Sequence, residues 1–270
     1  MGLYDIIDEI AEKQVTKTET GDNRIFGVVI GIVTDNYDAE MKGRVCVNIP
    51  VRDKEANNLK WARVAMPSSG KEWGHYFLPE VGDQVLLVFE QGNIEKPYVI
   101  GCIPKASDKF LSKSVDKDNQ KKRIVTKHGS TIEFFDAKEG DGEKDIINIY
   151  TANSKHKILI NNEKNEILIS DKEGENSIRM QTEDGKMTVK AKERLTIEVS
   201  DSIKINCNGS NGTVTVDCKK VKMKSSEDIL MEANGKAKLS GGNVNVAAST
   251  ALKLDSSGTT KVGGKPIALG

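Results

Sequence analysis

Residues 156–190 read HKILINNEKNEILISDKEGENSIRMQTEDGKMTVK. Apolar residues stand there in alternating pairs, Ile158/Ile160, Ile167/Ile169, Ile178/Met180 and Met187/Val189. Asn, Asp and Gly gather between the pairs, at Asn161-Asn162, Asp171, Gly174 and Asp184-Gly185. Alternation with period two is the mark of a strand with one apolar face, and those intervening residues are turn formers. Outward from this stretch the beat begins at Ile147/Ile149 and continues through Leu195/Ile197, Ile203/Ile205, Val214/Val216, Val221/Met223, Ile229/Met231, Ala237/Leu239, Val244/Val246 and Leu252/Leu254. The pairs recur about every eight residues with no helical stretch between them, which predicts a β-solenoid or fibre over residues 143–270.

Such a strand cannot stand alone. A buried Ile or Val contributes roughly 1.5–3 kcal/mol, while ordering the backbone costs about 1–2 kcal/mol per residue. The strip must close against other faces. One chain can coil with three strands per rung, or three chains can each supply a face; the pattern leaves both open.

Residues 24–104 read as a small β-domain. Strands are expected at 25–34, 44–49, 61–65, 84–89 and 98–102, separated by Asp35-Asn36, Met66-Pro67-Ser68-Ser69-Gly70, Pro79 with Gly82-Asp83, and Gly92-Asn93. Five strands in that length suit an OB-type Greek-key barrel. Residues 105–142 form a linker and neck: 106–122 is rich in Lys, Asp and Ser, and RIVTKHGSTIEFFD at 123–136 reads as a hairpin turning at His128-Gly129-Ser130. Residues 1–23 are an N-terminal helix and linker, with Leu3, Ile6, Ile7, Ile10, Ala11 and Val15 on one stripe. A lone short helix is marginal in water, so this one must dock, on its own domain or on a partner. The architecture expected is therefore all-β: N-terminal helix, OB-fold barrel, then an elongated β-helical needle.

Composition narrows the function. Forty basic residues balance forty acidic ones, so no net charge calls for nucleic acid or an anionic membrane. Aromatics are only 5%, which suits a narrow interior of Ile, Val and Leu. The start MGLYDIIDEI carries no secretory pattern, and the expectation is synthesis in the cytoplasm. The four cysteines are scattered and read as reduced structural thiols. Glu80 and Asp83 resemble a paired-carboxylate site, but they sit in a Pro/Gly turn. His75, beside Trp73 and Tyr76, has no recognisable second ligand or nucleophile. No Walker loop, GxSxG elbow or HExxH occurs. The reading is a structural protein, not an enzyme, with no cofactor and no metal.

The middle block resembles a known family, the OB-fold domain of contractile-tail spikes: phage baseplate assembly protein V and the equivalent part of VgrG spikes. Gly27-Val28-Val29, Gly43-Arg44-Val45, Trp61-Ala62-Arg63-Val64, Pro79-Glu80-Val81-Gly82-Asp83-Gln84-Val85 and Pro97-Tyr98-Val99-Ile100-Gly101 carry the likeness. The hairpin from Thr126 to Phe134 resembles that family's neck, and the repeats resemble its needle. The short segment before the barrel is more like protein V than a full VgrG, and the 106–122 linker is too short for a lysozyme domain. Only His75, His128 and His156 occur, so no His-x-His tip is expected.

The resemblance implies an intertwined homotrimer serving as the puncturing spike of a contractile injection apparatus, assembled into a virion or tail-like particle. It implies a baseplate hub protein as partner, with Leu3, Ile6, Ile7 and Ile10 as the hub-binding residues. It also implies a PAAR-type tip protein, bound by Lys265, Pro266, Ile267, Ala268 and Leu269. The alternative is an OB-fold binding module with a fibrous tail that recognises glycan or nucleic acid, since OB barrels bind strands through surface aromatics.

Overall fold

Alternating apolar residues in five short strands wrap into a closed barrel. The strands are β1 (Val29–Asp35), β2 (Arg44–Asn48), β3 (Lys60–Val64), β4 (Gln84–Phe89) and β5 (Pro97–Cys102). Their order around the barrel is β1-β2-β3-β5-β4, closed by antiparallel pairing of β1 with β4. β3 and β5 run parallel, Arg63 facing Tyr98. This is the Greek-key order of an OB barrel. The computed structural model describes residues 24–50 and 59–267.

Inward side chains follow the period of two: Val45 and Val47 on β2, Val85, Leu87 and Phe89 on β4. Val33, Ile49, Ala62, Ile94 and Val99 complete the core, so branched aliphatics fill it and Phe89 is the one buried aromatic among the described residues. Four strands lie within a residue or so of expectation. β1 starts four residues later than expected, because Gly27 takes φ +104° and leaves Phe26 exposed. Gly31 on β1 has a different task. A Cβ there would stand 2.7 Å from Leu87 Cδ1, so the strand crosses the core only without a side chain. Gly31→Ala is expected to lower barrel stability by about 1–3 kcal/mol, the usual cost of overpacking. A denaturant midpoint equal to that of the parent would show that Leu87 swings aside freely.

The 105–142 segment holds more than a linker. A short helix, α1 (Lys109–Ser114), follows Asp108, whose Oδ2 accepts the Lys105 N–H at 2.7 Å. Asp116 then organises the approach to the neck by accepting the N–H groups of Asp118, Gln120 and Lys121. The neck hairpin is β6 (Lys121–Val125) and β7 (Thr131–Phe135), with Gly129 at φ +96° in its turn.

That hairpin continues without a break into the repeats. β8 (Ile146–Tyr150), β9 (His156–Asn161), β10 (Glu166–Asp171), β11 (Ser177–Gln181) and β12 (Lys186–Lys190) join it in one seven-stranded sheet, each strand next to its sequence neighbour. Every pairing is antiparallel. This corrects one closure considered from sequence, the single chain coiled three strands per rung. Turns as tight as 162–165 and 182–185 fold each strand straight back onto the last. A second sheet orders β13 (Arg194–Val199), β14 (Ile203–Asn208) and β15 (Thr213–Cys218) as a meander. Residues 24–195 with 207–213, as far as described, make one compact unit; residues 196–206 with 214–267 belong to a second.

After Cys218 the expected strands are not found. The described residues 219–267 contain no strand, although Val221/Met223, Ala237/Leu239, Val244/Val246 and Leu252/Leu254 keep the beat. An extended segment becomes a strand only when another segment takes up its N–H and C=O groups, and among the described residues no segment does so for this stretch.

Candidate assembly surface

Strand register turns the apolar pairs into two continuous rows. One row runs Ile124–Ile132–Ile149–Ile158–Ile169–Ile178–Val189 across all seven strands. The second runs Phe134–Ile147–Ile160–Ile167–Met180–Met187. Cross-strand neighbours of this kind hold a sheet together, and a slip of one residue would turn both rows to the other face. The antiparallel turns therefore do what the period alone could not: they stack the pairs in register.

The rows are not buried. Along the first, exposure runs from 37% at Ile132 to 51% at Ile124. Covering the exposed part would gain on the order of 1 kcal/mol per side chain, hence roughly 10 kcal/mol for the face. A contiguous apolar surface of this extent marks an interaction site. Phe77, at the end of the barrel's 66–78 loop, lines the same apolar depression as Ile124 and Ile132.

The opposite face is finished differently. Leu168 and Ser170 are buried there. Arg123 Nε lies 2.8 Å from Glu133 Oε2, close enough for an ion pair though not aligned as a hydrogen bond. Its guanidinium also reaches Ser114 Oγ and Tyr150 Oη, both at 3.3 Å, and so ties α1 to β6, β7 and β8. Glu166 and Arg179 form a second cross-strand ion pair at 2.8 Å.

The turns are held by side chains. Asp171 accepts the Asn176 side-chain amide at 2.6 Å, then the N–H groups of Glu175 at 2.9 Å and Asn176 at 3.1 Å. The Asn176 side-chain bond above all, with the backbone bonds behind it, holds the Asp171 carboxyl below its ordinary range. Because the folded value is depressed, the turn's stabilisation is present above the ordinary Asp range and is lost as pH falls through the depressed value. Protection of the Gly174 to Asn176 amides, with exchange rates divided by their intrinsic rates at each pH, should hold down to the lower edge of the carboxylate range and then fall. In Asp171→Asn the profile should be flat; a wild-type profile that breaks at the ordinary Asp value would remove the turn bonds as its cause.

The residues singled out from sequence fall as follows. Glu80 and Asp83 shape a turn: Asp83 Oδ2 accepts the Glu80 N–H at 2.9 Å, and Glu80 pairs with Lys127 at 2.7 Å. His75 Nδ1 lies 3.0 Å from Ser68 Oγ in an exposed loop. The hub-binding stripe Leu3, Ile6, Ile7 and Ile10 lies outside the described residues, as do Ala268 and Leu269 of the tip. Lys265, Pro266 and Ile267 are exposed. No group of three or more His, Cys, Asp or Glu among the described residues is placed to hold a metal.

Known proteins match the barrel's part of this picture. Residues 29–103 match the family described as the type VI secretion system/phage-baseplate injector OB domain. Over 88 residues the chain is 28% identical to the type VI secretion system spike protein VgrG2a of Pseudomonas aeruginosa, covering 31% of this chain and 10% of that protein. VgrG2b of the same organism is also 28% identical over 88 residues, with 8% of it covered. VgrG5 is 31% identical over 87 residues, 30% of this chain and 11% of that protein. The chain thus spans about a tenth of the length of the curated relatives it matches. The barrel at residues 29–103 is an OB domain of the kind that type VI secretion systems and phage baseplates use in their injectors.

Proposed function

We propose that this protein is a structural spike component of a contractile injection apparatus, and that three copies close their apolar sheet faces into a prism. The observation that carries the reading is the pair of exposed rows on the seven-stranded sheet, joined to an injector-type barrel. Two exposed rows on one sheet face are covered when three equal faces meet about one axis, and cyclic symmetry is the ordinary way identical chains do this. Beyond Cys218 the same closure would supply the missing ladder partners, with strands from neighbouring copies forming a needle. Closure leaves sheet edges only at the ends, which suits a part pushed through a target envelope when a sheath contracts. No bond chemistry is required of it. The spike-protein names of its relatives and the baseplate-injector family that its barrel matches support this assembly, and a hub protein at the barrel end follows from that reading.

Light scattering of the pure protein should give about three times the chain mass of 29.6 kDa. A monomer at micromolar concentration would sink the closure. The exposed Ile267, with Lys265 and Pro266 beside it, suits a PAAR-type tip partner. Capture of such a protein by the full chain and not by residues 1–261 would support that partner, and equal capture by both would remove it.

A further inference from the structure

We propose that the cleft between barrel and neck is the seat of the chain's own residues 3–15. The cleft is about 1600 Å³ and its two sides differ. The barrel side offers apolar surface at Tyr76, Pro79 and Ile103. Lys105, Lys109, Lys113 and Lys157 also line the cleft, together with Asp83 and Asp108. Among the described residues none of these four lysines has an ion-pair partner, whereas Lys127 in the same cleft is matched by Glu80. Unpaired cations beside an apolar wall call for an occupant that is acidic on one side and apolar on the other.

Residues 3–12 have that character. Leu3, Ile6, Ile7 and Ile10 recur at helical spacing, and Asp5, Asp8, Glu9 and Glu12 recur at the same spacing on the other side. No basic residue lies between Leu3 and Glu12. A two-sided cleft meets both faces of such a segment at once. The size agrees: a thirteen-residue helix is roughly 20 Å long and 10 Å across, which displaces roughly 1600 Å³. The reach agrees as well. The described chain begins at Arg24, where Ile25 N–H donates to Gly92 O beside the far end of β4. The cleft lies at the other end, by Gln84. The strand between spans roughly 20 Å, and residues 16–23 can extend over roughly 25 Å.

The test uses the full chain without partners. A carbodiimide, which joins carboxyl to amine with no spacer, should link Asp5, Asp8, Glu9 or Glu12 to the cleft lysines, read by peptide mass spectrometry. Trypsin cleavage after Lys13 and Lys17 should be at least tenfold slower than in the triple variant Lys105→Glu, Lys109→Glu, Lys113→Glu. Adding Asp8→Lys and Glu12→Lys to that variant should restore protection. Absence of the links, or cleavage rates within twofold of each other, would overturn the seat. So would a cross-linked dimer band on a denaturing gel, which would give the cleft to a neighbouring copy. Protection that arises only when a hub protein is added would assign the stripe to the hub and overturn it too. The particle mass measured on the same samples tests the spike reading separately, since the seat requires no trimer.

Discussion

Ile158→Asp is expected to convert the proposed trimer to folded monomers. Ile158 stands in the middle of the first apolar row, between Ile149 and Ile169, and is 39% exposed in the single chain. In an unassembled chain a carboxylate there stays in water and costs the fold little. In a closed prism three such carboxylates would meet in an apolar interior, at several kcal/mol each for desolvation and more for their mutual repulsion. The covering of one face is worth on the order of 10 kcal/mol per chain, and association and ordering already consume several kcal/mol of that, so a further penalty of several kcal/mol per chain removes what remains. Sedimentation velocity should show the mass fall from that of the proposed trimer to that of one chain while the far-ultraviolet spectrum is kept. Lys172→Ala, at an exposed position of the 172–176 turn, should leave the proposed trimer intact. If Ile158→Asp still sedimented as the parent, the rows would not be the face that closes.

The strands were legible because each one announces itself twice, by its alternation and by the turn that ends it. Gln84–Phe89 could be read to the residue, since Gly82-Asp83 precedes it and its apolar positions fall at every second place. Pairing was not legible. A one-faced strand records which side it buries and nothing of which strand lies beside it, so the antiparallel meander emerged only once Ile147, Ile160, Ile167 and Met180 stood in register. Helix α1 went unread because its lysines and serines look like any solvated linker, and six residues are too few to show a helical period. Gly27 could have been read as the break before β1; in a run of β-formers its left-handed backbone leaves no mark of its own. The assembly surface itself was legible as to its residues, Ile158 and Ile169 among them, but its continuity came only from register. The Arg123–Glu133 pair had no sequence signal at all, because charges at 123 and 133 look like surface residues on a hairpin.

That pair carries the second large expectation. The Arg123 side chain is 7% exposed and Glu133 23%, and Arg123 bridges the neck hairpin to α1 and β8. Removing one member of a buried ion pair leaves a charge without compensation, typically at about 3–5 kcal/mol. Glu133→Ala should therefore lower the urea midpoint of the neck and sheet strongly, while surface changes nearby should shift it by less than about 0.5 kcal/mol. The double variant Arg123→Met with Glu133→Leu removes both charges and refills the space. It should recover most of the loss, because a well-packed apolar pair commonly equals a buried ionic one. If Glu133→Ala and the single variant Arg123→Met each cost under about 1 kcal/mol, the pair would be no more than a surface contact, for which that value is usual. If the singles were severe and the double failed to recover, the weight would rest on the contacts of Arg123 with Ser114 and Tyr150. The neck would then be fastened by α1 to the sheet, and not by the charge pair across β6 and β7.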